Sequence, residues 1–312
     1  MNPHYLALAP LRPYLWRELP AWNKLIGYLV RYEQYHGWPT KTIRGKLHGF
    51  QMQLDLNDWC QRWTYYLGRY YEAHTQQLML RALRPGELFV DIGANIGMTA
   101  LLAAHAVGPT GRVVAFEPNP DVYAILRRHV DANQLEKTID ARNCAIGDSE
   151  SELTLTVAGT HTGCGTLTSV DAVPGETLRR VQVRVAVGDA QLAELPDRPM
   201  FIKIDVEGFE LHVLAGLKQT LSRRKPAVLT EAVEYQLKRA GASIASLFEV
   251  MLAHGYRGYS VEELRGSHGF NSHRLRLRPV TAPDAQLSPD LLWLFPGGEH
   301  EARLKEHLDR WG

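Results

Sequence analysis

Cysteine is scarce in this 312-residue sequence: Cys60, Cys144 and Cys164 are all it has. An odd number without metal-type spacing excludes a disulfide framework and suits a reducing compartment. Charge of one sign is not in excess either, since 35 Lys and Arg face 34 Asp and Glu for a formal net charge of +1. That balance argues against nucleic acid as a partner, which usually demands a basic excess or stripe. The densest basic run, Arg223-Arg224-Lys225, reads as a solvated helix end. Long apolar runs are absent too. Nothing approaches the ~18 uninterrupted apolar residues of a membrane span, and Leu6 to Pro10 is too short for the core of a secretion signal. These absences predict a cytoplasmic protein with no membrane span, long enough to bury a full-sized core.

What is present is unevenly spread. Five of the seven tryptophans (Trp16, Trp22, Trp38, Trp59, Trp63) and nine of the thirteen tyrosines lie in the first 71 residues. Leu15 to Tyr35 has helical character, ended by Gly37-Trp38-Pro39. Thr42 to Leu56 alternates as a half-buried strand or hairpin does, and one helix is expected from Asp58 to Leu83. Residues 1–80 therefore read as an aromatic-rich cap of helices plus a β segment, a lid or a substrate-selecting element. From Gly86 the pattern becomes strand, helix, strand, helix. Leu88–Ile92 and Arg112–Phe116 are buried parallel strands, separated by a helix from Asn95 to Val107 that Gly108-Pro109 stops. A helix over Asp121–Val130 and a strand ending near Ala145-Ile146 follow. Ser151 to Val185 breaks the rhythm with two alternating segments around glycine-rich Gly159 to Gly165, which predicts a small β insertion around 151–186 with a mobile loop. Strand Met200–Ile204, a helix bearing Leu211, Leu214, Leu217 and Leu221, strand Ala227–Thr230, a helix near Ile244–Leu252 and a late strand Leu291–Phe295 complete the chain. This alternation predicts, for residues 81–312, a doubly wound α/β fold with a mostly parallel sheet covered on both faces.

The most informative stretch is Phe89-Val90-Asp91-Ile92-Gly93-Ala94-Asn95-Ile96-Gly97. It joins a buried strand to a helix, so its loop lies at the carboxyl end of the sheet, where open α/β folds bind ligands. Glycine lets the backbone approach a ligand closely, the next helix offers free N–H groups to an anion, and Asn95 tolerates a left-handed conformation. Glu117 lies 20 residues beyond Gly97, at the end of the next strand. There a carboxylate can accept both ribose hydroxyls of an adenosine-containing cofactor; the plainer alternative is a solvated strand end. The dinucleotide fingerprint G-x-G-x-x-G is not met, because Asn95 and Met98 stand where its second and third glycines belong. NAD is therefore the lesser alternative, and the spacing suits a loop meeting the amino-acid part of S-adenosylmethionine.

Four motifs, Asp91-Ile92-Gly93-Ala94-Asn95-Ile96-Gly97, Phe116-Glu117-Pro118-Asn119, Asn143-Cys144-Ala145-Ile146-Gly147-Asp148 and Lys203-Ile204-Asp205-Val206-Glu207-Gly208-Phe209-Glu210, closely resemble the FkbM family of methyltransferases in order and spacing. The resemblance spans roughly Gly49 to Glu231. It implies a class I methyltransferase (Rossmann-like) fold, S-adenosylmethionine as donor, and usually a hydroxyl acceptor on a natural product or sugar. It further implies that Asp91 and the loop Gly93, Ala94, Asn95 and Gly97 hold the methionine end, Glu117 the ribose and Asp148 the adenine amino group. Gly147-Asp148-Ser149 is otherwise a good turn. Tyr71-Glu72 resembles the family's Tyr-Glu pair, which places Glu72 near the cofactor.

In the class I strand order, Asp205 ends a strand beside the first one and faces the crevice opposite Asp91, where it can serve cofactor or acceptor. Methyl transfer is an in-line displacement in which alignment supplies much of the rate, and a carboxylate within hydrogen-bond reach can take the acceptor's proton. Asp205 is the first candidate for that work. Glu207 is the next, although it could simply start a helix; Glu231, emerging after Ala227–Thr230, is a further general-base candidate. Glu210 reads as helix-stabilising, His212 as a packed or surface residue, and His161 as a loop residue that could swing over the acceptor. No metal is expected, because no cluster has good ligand spacing; Asp205, Glu207 and Glu231 are a faint suggestion of a divalent-cation site. The function expected is S-adenosylmethionine-dependent O-methylation of a small-molecule or carbohydrate acceptor, with a homo-oligomer compatible. The alternatives are an NAD-dependent dehydrogenase and a non-catalytic S-adenosylmethionine-binding partner protein.

Overall fold

Phe89-Val90-Asp91-Ile92 has no face to offer solvent, and the structure gives it none: every residue of this strand is buried. The computed structural model describes residues 5, 8–29, 37–158, 165–167, 178–264, 269–270, 274–284 and 286–308. Helices α1 (Arg12–Trp16) and α2 (Trp22–Leu29) lead to an antiparallel hairpin, β1 (Thr40–Arg44) and β2 (Gln51–Asp55), then to helices α3 (Trp59–Leu67) and α4 (Ala73–Ala82). The core follows as β3 (Leu88–Ile92), α5 (Met98–Val107), β4 (Arg112–Phe116), α6 (Pro120–Ala132) and β5 (Ile139–Arg142). The insertion contributes β6 (Ala145–Gly147), β7 (Ser151–Ala158), β8 (Gly165–Thr166) and β9 (Leu178–Val187), before α7 (Gly188–Leu192). Next come β10 (Met200–Ile204), α8 (Glu210–Gly216), α9 (Lys218–Arg224), β11 (Ala227–Glu231), α10 (Glu234–Arg239) and α11 (Ile244–Ala253). Strands β12 (Arg257–Leu264), β13 (Arg274–Val280) and β14 (Asp290–Leu294), with α12 (Glu299–Leu304), end the order.

The eight-stranded sheet runs β13-β12-β14-β11-β10-β3-β4-β5, and the insertion forms its own sheet, β6-β9-β7-β8. Strands β11, β10, β3, β4 and β5 are mutually parallel, while β14 pairs antiparallel with both β11 and β12. This is the class I methyltransferase fold: a doubly wound, mostly parallel sheet with a reversed strand late in the chain. Alternation along the strands sorts the two faces. Phe89, Phe201, Leu229 and Leu292 share one cluster with Leu15, Ile26, Leu54 and Leu67 of the N-terminal segment. Val90, Ile202, Val228 and Trp293 pack instead with Val213, Leu221 and Leu247. The chain proceeds from β3 to β4 on one side and returns to β10 on the other, so the crevice opens above the β3–β10 tips.

Several helices expected to be continuous are broken, each for a visible reason. The helix from Leu15 to Tyr35 is two, because Pro20 lies between Glu18 and Ala21, which adopt φ of 50° and 62°; residues 30–36 lie outside the described set. Asp58 to Leu83 is also two. Gly68 ends α3 at φ 70°, and the Trp16 ring fills the space where a Cβ would stand, 2.5 Å away. The helix expected from Asn95 begins at Met98, since Asn95 and Gly97 are left-handed. The leucine-bearing helix divides at Leu217. The strand ending near Ala145 is two strands in different sheets, β5 and β6. Strands β12 and β13 were not foreseen. Gly159–Cys164, including His161, lie outside the described residues. A buried ion pair ties α1–α2 to the turn after α3: Glu18 accepts from Arg69 Nε and Nη2, both at 2.9 Å, in a two-point fork. Among the described residues no helix is long and apolar enough to cross a membrane.

Candidate active site

The tips of β3 and β10 touch. Asp205 donates its backbone N–H to the Ile92 carbonyl at 3.0 Å, and a Cβ on Gly93 would lie 1.9 Å from the Asp205 carbonyl oxygen. With φ at 83° as well, only glycine fits at 93. Gly97 is pressed from the other side, 2.5 Å from Leu126 of α6 on the same test. The loop between them is fastened to β4: the N–H groups of Gly93 and Ala94 both donate to the Phe116 carbonyl, at 3.0 and 2.9 Å.

Glu117 completes that fastening. One carboxylate oxygen accepts from the Asn95 N–H at 2.9 Å and the other from the Asn119 N–H at 2.8 Å. Burial pushes its carboxyl up to about 7, against those two hydrogen bonds. Asp91 sits behind the loop, fully buried and off the cavity wall. One of its oxygens accepts from Thr99 Oγ1 at 2.6 Å. Burial raises it to about 6, with Lys203 opposing.

Above these tips lies a cleft enclosing about 1340 Å³ of empty space, part of it open to solvent. Gly93, Ala94, Asn95 and Glu117 line it together with an acidic group, Glu72, Asp205, Glu207 and Glu231, and their counter-ion Lys203. The acidic group is a construction of three strand tips and the loop after β10. Glu231 and Asp290 are register partners on β11 and β14, and Lys203 and Asp91 are partners on β10 and β3. Glu207 adopts φ 55°, and Gly208 is held so close to the Gln236 carbonyl that a Cβ would meet it at 2.5 Å. Glu210, buried off the cavity wall, accepts from the Gly208 N–H at 3.1 Å and so fixes the loop.

The electrostatics of this group are lopsided. Asp205, Glu207 and Glu231 each offer an oxygen within 4.8 Å of the others, a spacing a divalent cation could bridge. The Asp205 charge, then burial, pushes Glu231 up to about 10. Burial and then Asp205 push Glu207 to about 7, and burial followed by the Asp290 and Asp205 charges does the same to Glu72. The counter-charge is Lys203, whose Nζ donates to Asp205 Oδ2 at 2.8 Å. Burial alone would lower that lysine, but Asp205, Asp91 and Glu72 together hold it well above its ordinary range. His74 faces Asp290 at 2.5 Å behind Glu72.

The structure thus gathers Glu72, Gly93, Ala94, Asn95, Glu117, Asp205, Glu207 and Glu231 around one cavity. Asp148 is apart: its carboxylate is half exposed, off the cavity wall, and faces His212 Nδ1 at 3.6 Å. Sequence reasoning missed Lys203 and the aromatic wall. Lys203 had a signal, a lone charge within the apolar strand Met200–Ile204. Trp59 and Tyr70 had none stronger than local aromatic density; with Tyr71 they form a cluster of mutually tilted rings on the cavity, Trp59–Tyr71 at 5.1 Å and Tyr70–Tyr71 at 4.6 Å between ring centres. Leu155, Gly165 and Leu167 bring the inserted sheet to the cavity as a further wall.

Known proteins bear on this arrangement. A family model described as the methyltransferase FkbM domain matches residues 91–257. The chain is 28% identical over 216 residues to 31-O-demethyl-FK506 methyltransferase FkbM of Streptomyces tacrolimicus, covering 60% of this chain and 80% of that protein. It is 27% identical over 157 residues to hexuronic acid methyltransferase AglP of Haloferax volcanii, covering 48% of this chain and 58% of the relative. Among solved structures, the methyltransferase FkbM of Methylobacillus flagellatus aligns with 93% of this chain and 60% of its own, at 15% identity and a TM-score of 0.36. With its glycine loop, its acidic strand tips and more than half of its length inside one family model, the chain belongs to the FkbM family of methyltransferases.

Proposed function

We propose that this methyltransferase transfers the methyl group of S-adenosylmethionine to a hydroxyl oxygen of a small molecule or sugar. The single observation that carries the reading is one cavity lined both by Glu117 with the glycine loop and by three convergent carboxylates. The part lined by Glu117 and the loop fits an adenosyl group. Glu117 is buried with its carboxylate already oriented by two backbone N–H groups, ready to accept ribose hydroxyls, and Gly93 lets the Asp205 tip close against the loop. Bound there, S-adenosylmethionine supplies an electrophilic methyl group on a cationic sulfur.

The chain's own residues do the rest. Gly93, Ala94 and Asn95 would hold the methionine portion, with Asp91 and Gly97 supporting their loop from outside the cavity and Glu72 and Lys203 also lining it. Asp205, fixed by Lys203, takes the proton of the acceptor hydroxyl. Glu231 retains a proton at neutral pH and so offers the acceptor a hydrogen-bond donor, while Glu207 accepts. Trp59, Tyr70 and Tyr71 give a ring-shaped acceptor an apolar platform and exclude water from the transfer. Two of the relatives act, by name, on 31-O-demethyl-FK506 and on hexuronic acid, which supports a hydroxylated acceptor. The acidic group favours a neutral or cationic one over a uronic acid. Mass spectrometry of candidate acceptors incubated with isotopically labelled donor tests this: the label is expected on oxygen, and transfer confined to nitrogen or carbon would overturn it.

A further inference from the structure

We propose that His129 is a positioning residue that registers the acceptor wall against the cofactor loop. It lies on α6, is 2% exposed, and does not line the cavity. Its ring spans two structures that the sequence places far apart. Nδ1 is 2.8 Å from the carbonyl oxygen of Ile96, in the middle of the glycine loop. Nε2 is 2.9 Å from the backbone nitrogen of Gln53 on β2, and 3.1 Å from the Gln53 carbonyl. The Gln53 N–H can only donate, so Nε2 is the unprotonated acceptor and Nδ1–H donates to Ile96. Burial lowers the imidazole's affinity for a second proton, which suits that neutral form.

One turn further along α6, Asn133 repeats the pattern on the same strand. Its Oδ1 accepts from the Gln51 N–H at 2.7 Å and its Nδ2 donates to the Gln51 carbonyl at 2.8 Å. The two side chains thus cover the outer edge of β2, Asn133 pairing both backbone groups of Gln51 and His129 the N–H of Gln53, groups that a two-stranded hairpin otherwise leaves to water. They also differ in reach. Asn133's remaining bond returns to its own helix, at the His129 carbonyl, whereas His129 reaches onward to the cofactor loop.

The hairpin in turn sets the acceptor wall. The Asp55 N–H at the end of β2 donates to Gln61 Oε1 at 2.8 Å, and Arg62 Nε donates to the Leu56 carbonyl at 2.7 Å. Both side chains belong to α3, whose Trp59, Cys60, Gln61 and Thr64 line the cavity. A continuous path therefore runs from Ile96 through His129, Gln53 and Asp55 to α3. Ordering of the glycine loop by a bound cofactor is communicated through it to the platform on which the acceptor rests, and coupling of this kind acts in both directions.

Two substitutions separate the two halves of the contact. In His129→Asn the amide nitrogen stands near the Nδ1 position, so the bond to Ile96 is kept and that to Gln53 is lost. In His129→Gln the longer amide reaches the Nε2 position, as Asn133 shows an amide can do, so Gln53 is kept and Ile96 is lost. Calorimetric titration with S-adenosylhomocysteine and hydrogen exchange over residues 51–55 read the halves independently. His129→Gln is expected to weaken S-adenosylhomocysteine roughly tenfold, the loss of one well-placed hydrogen bond, with hairpin protection retained. His129→Asn is expected to bind it within about twofold of the parent while the 51–55 amides exchange faster. In the parent protein S-adenosylhomocysteine is expected to slow exchange at 51–55, and that ligand effect is expected to vanish in both variants. A ligand effect that persists in either variant, or is absent from the parent, overturns the proposal. So does a uniform loss of affinity and protection in both variants, which is what a merely structural histidine would give.

Discussion

At the β12–β13 end of the sheet, Arg278 donates to Glu262 Oε1 at 2.7 Å and to both oxygens of Asp284, at 2.7 and 3.2 Å. That fork holds the Asp284 carboxyl below its usual range. At the tips of β3, β10 and β11 the arrangement is inverted. Glu72, Asp205, Glu207 and Glu231 share a cavity with Lys203 as the cation among the residues lining it, and Glu72, Glu207 and Glu231 are all pushed upward. One region commits its carboxylates to ion pairs that hold a surface together. The other crowds them where they repel, an arrangement that a bound ligand would relieve. On the proposed reading, that is where charge changes during the reaction.

The sharpest way to break this contrast is to remove one carboxylate from each region. Asp205→Asn is expected to lower the transfer rate by about 10²–10⁴-fold, the range for losing a general base, with S-adenosylhomocysteine still bound. Asp284→Asn is expected to leave the rate unchanged. Steady-state rates with an unmethylated acceptor that the parent turns over decide it, and an Asp205→Asn enzyme within tenfold of the parent would remove Asp205 from the proton-transfer role.

Glycines offer a second contrast between site and periphery. Gly93→Ala puts a Cβ 1.9 Å from the Asp205 carbonyl, which forces the two strand tips apart. S-adenosylhomocysteine affinity is expected to fall at least about 100-fold, equivalent to roughly 3 kcal/mol. Gly241 has φ of 72° too, yet nothing lies within 4 Å of the point where its Cβ would stand, so Gly241→Ala is expected to cost about 1 kcal/mol of stability and no affinity. Titration calorimetry and thermal melts of both variants separate the two effects; equal affinities would show that the β3–β10 contact does not shape the cofactor site.

How much of this was legible from residues alone follows the same division. The parallel strands Leu88–Ile92, Arg112–Phe116, Met200–Ile204 and Ala227–Thr230 announce themselves because burial on both faces demands continuous apolar runs, and the loop after the first is marked by its glycines. The convergence of Asp205, Glu207 and Glu231 was only faintly visible, since it depends on the left-handed turn at Glu207 and Gly208. The breaks at Pro20, Gly68 and Leu217 were missed because apolar spacing continues across them. Strands β12 and β13 escaped although Arg274-Leu275-Arg276-Leu277-Arg278 alternates as a strand should. Trp59 and Tyr70 belong to the cavity only through tertiary placement of the segment around α3, which no local pattern encodes.

A smaller effect distinguishes the two regions by pH. Glu72, Glu117, Glu207 and Glu210 reach about 7 and Glu231 about 10 in the folded chain, against 4.5 as the ordinary value. Where the folded form keeps protons that the unfolded form has released, stability falls as pH rises. Below 6.5 the buried His48 and His300, lowered to about 4 and 3, push the other way. The melting temperature of the cofactor-free protein is therefore expected to decline between about pH 7 and pH 9, where Glu231, joined by His74 that Asp290 raises against its burial, keeps protons the unfolded chain has released. Asp284, with its lowered carboxyl, contributes stability lost only in acid, as pH falls through its folded value. Calorimetry of the parent and of Glu231→Gln checks the assignment: the variant's curve is expected to be flatter, and an identical slope would mean that Glu231 is not the group retaining the proton.

The smallest expected effect belongs to Asp148. The resemblance gives it the adenine amino group, but the structure sets it half exposed beside His212 at 3.6 Å, outside the residues that line the cleft. A carboxylate open to solvent is well hydrated, and its exchange of water for an adenine hydrogen bond gains little. The cleft is lined instead by Asp148's chain neighbours Cys144, Ala145 and Ile146, together with Phe209, which supply apolar contact rather than a charge. Asp148→Ala is accordingly expected to change S-adenosylhomocysteine affinity by less than about threefold, under 1 kcal/mol, whereas Glu117→Gln at the buried ribose position is expected to cost at least about tenfold. Parallel titrations of the two variants rank the exposed and buried carboxylates directly. A loss at Asp148 equal to that at Glu117 would mean that the β6–β7 turn folds onto the adenine when cofactor binds, and that the cofactor site extends beyond the cleft lined by Glu117.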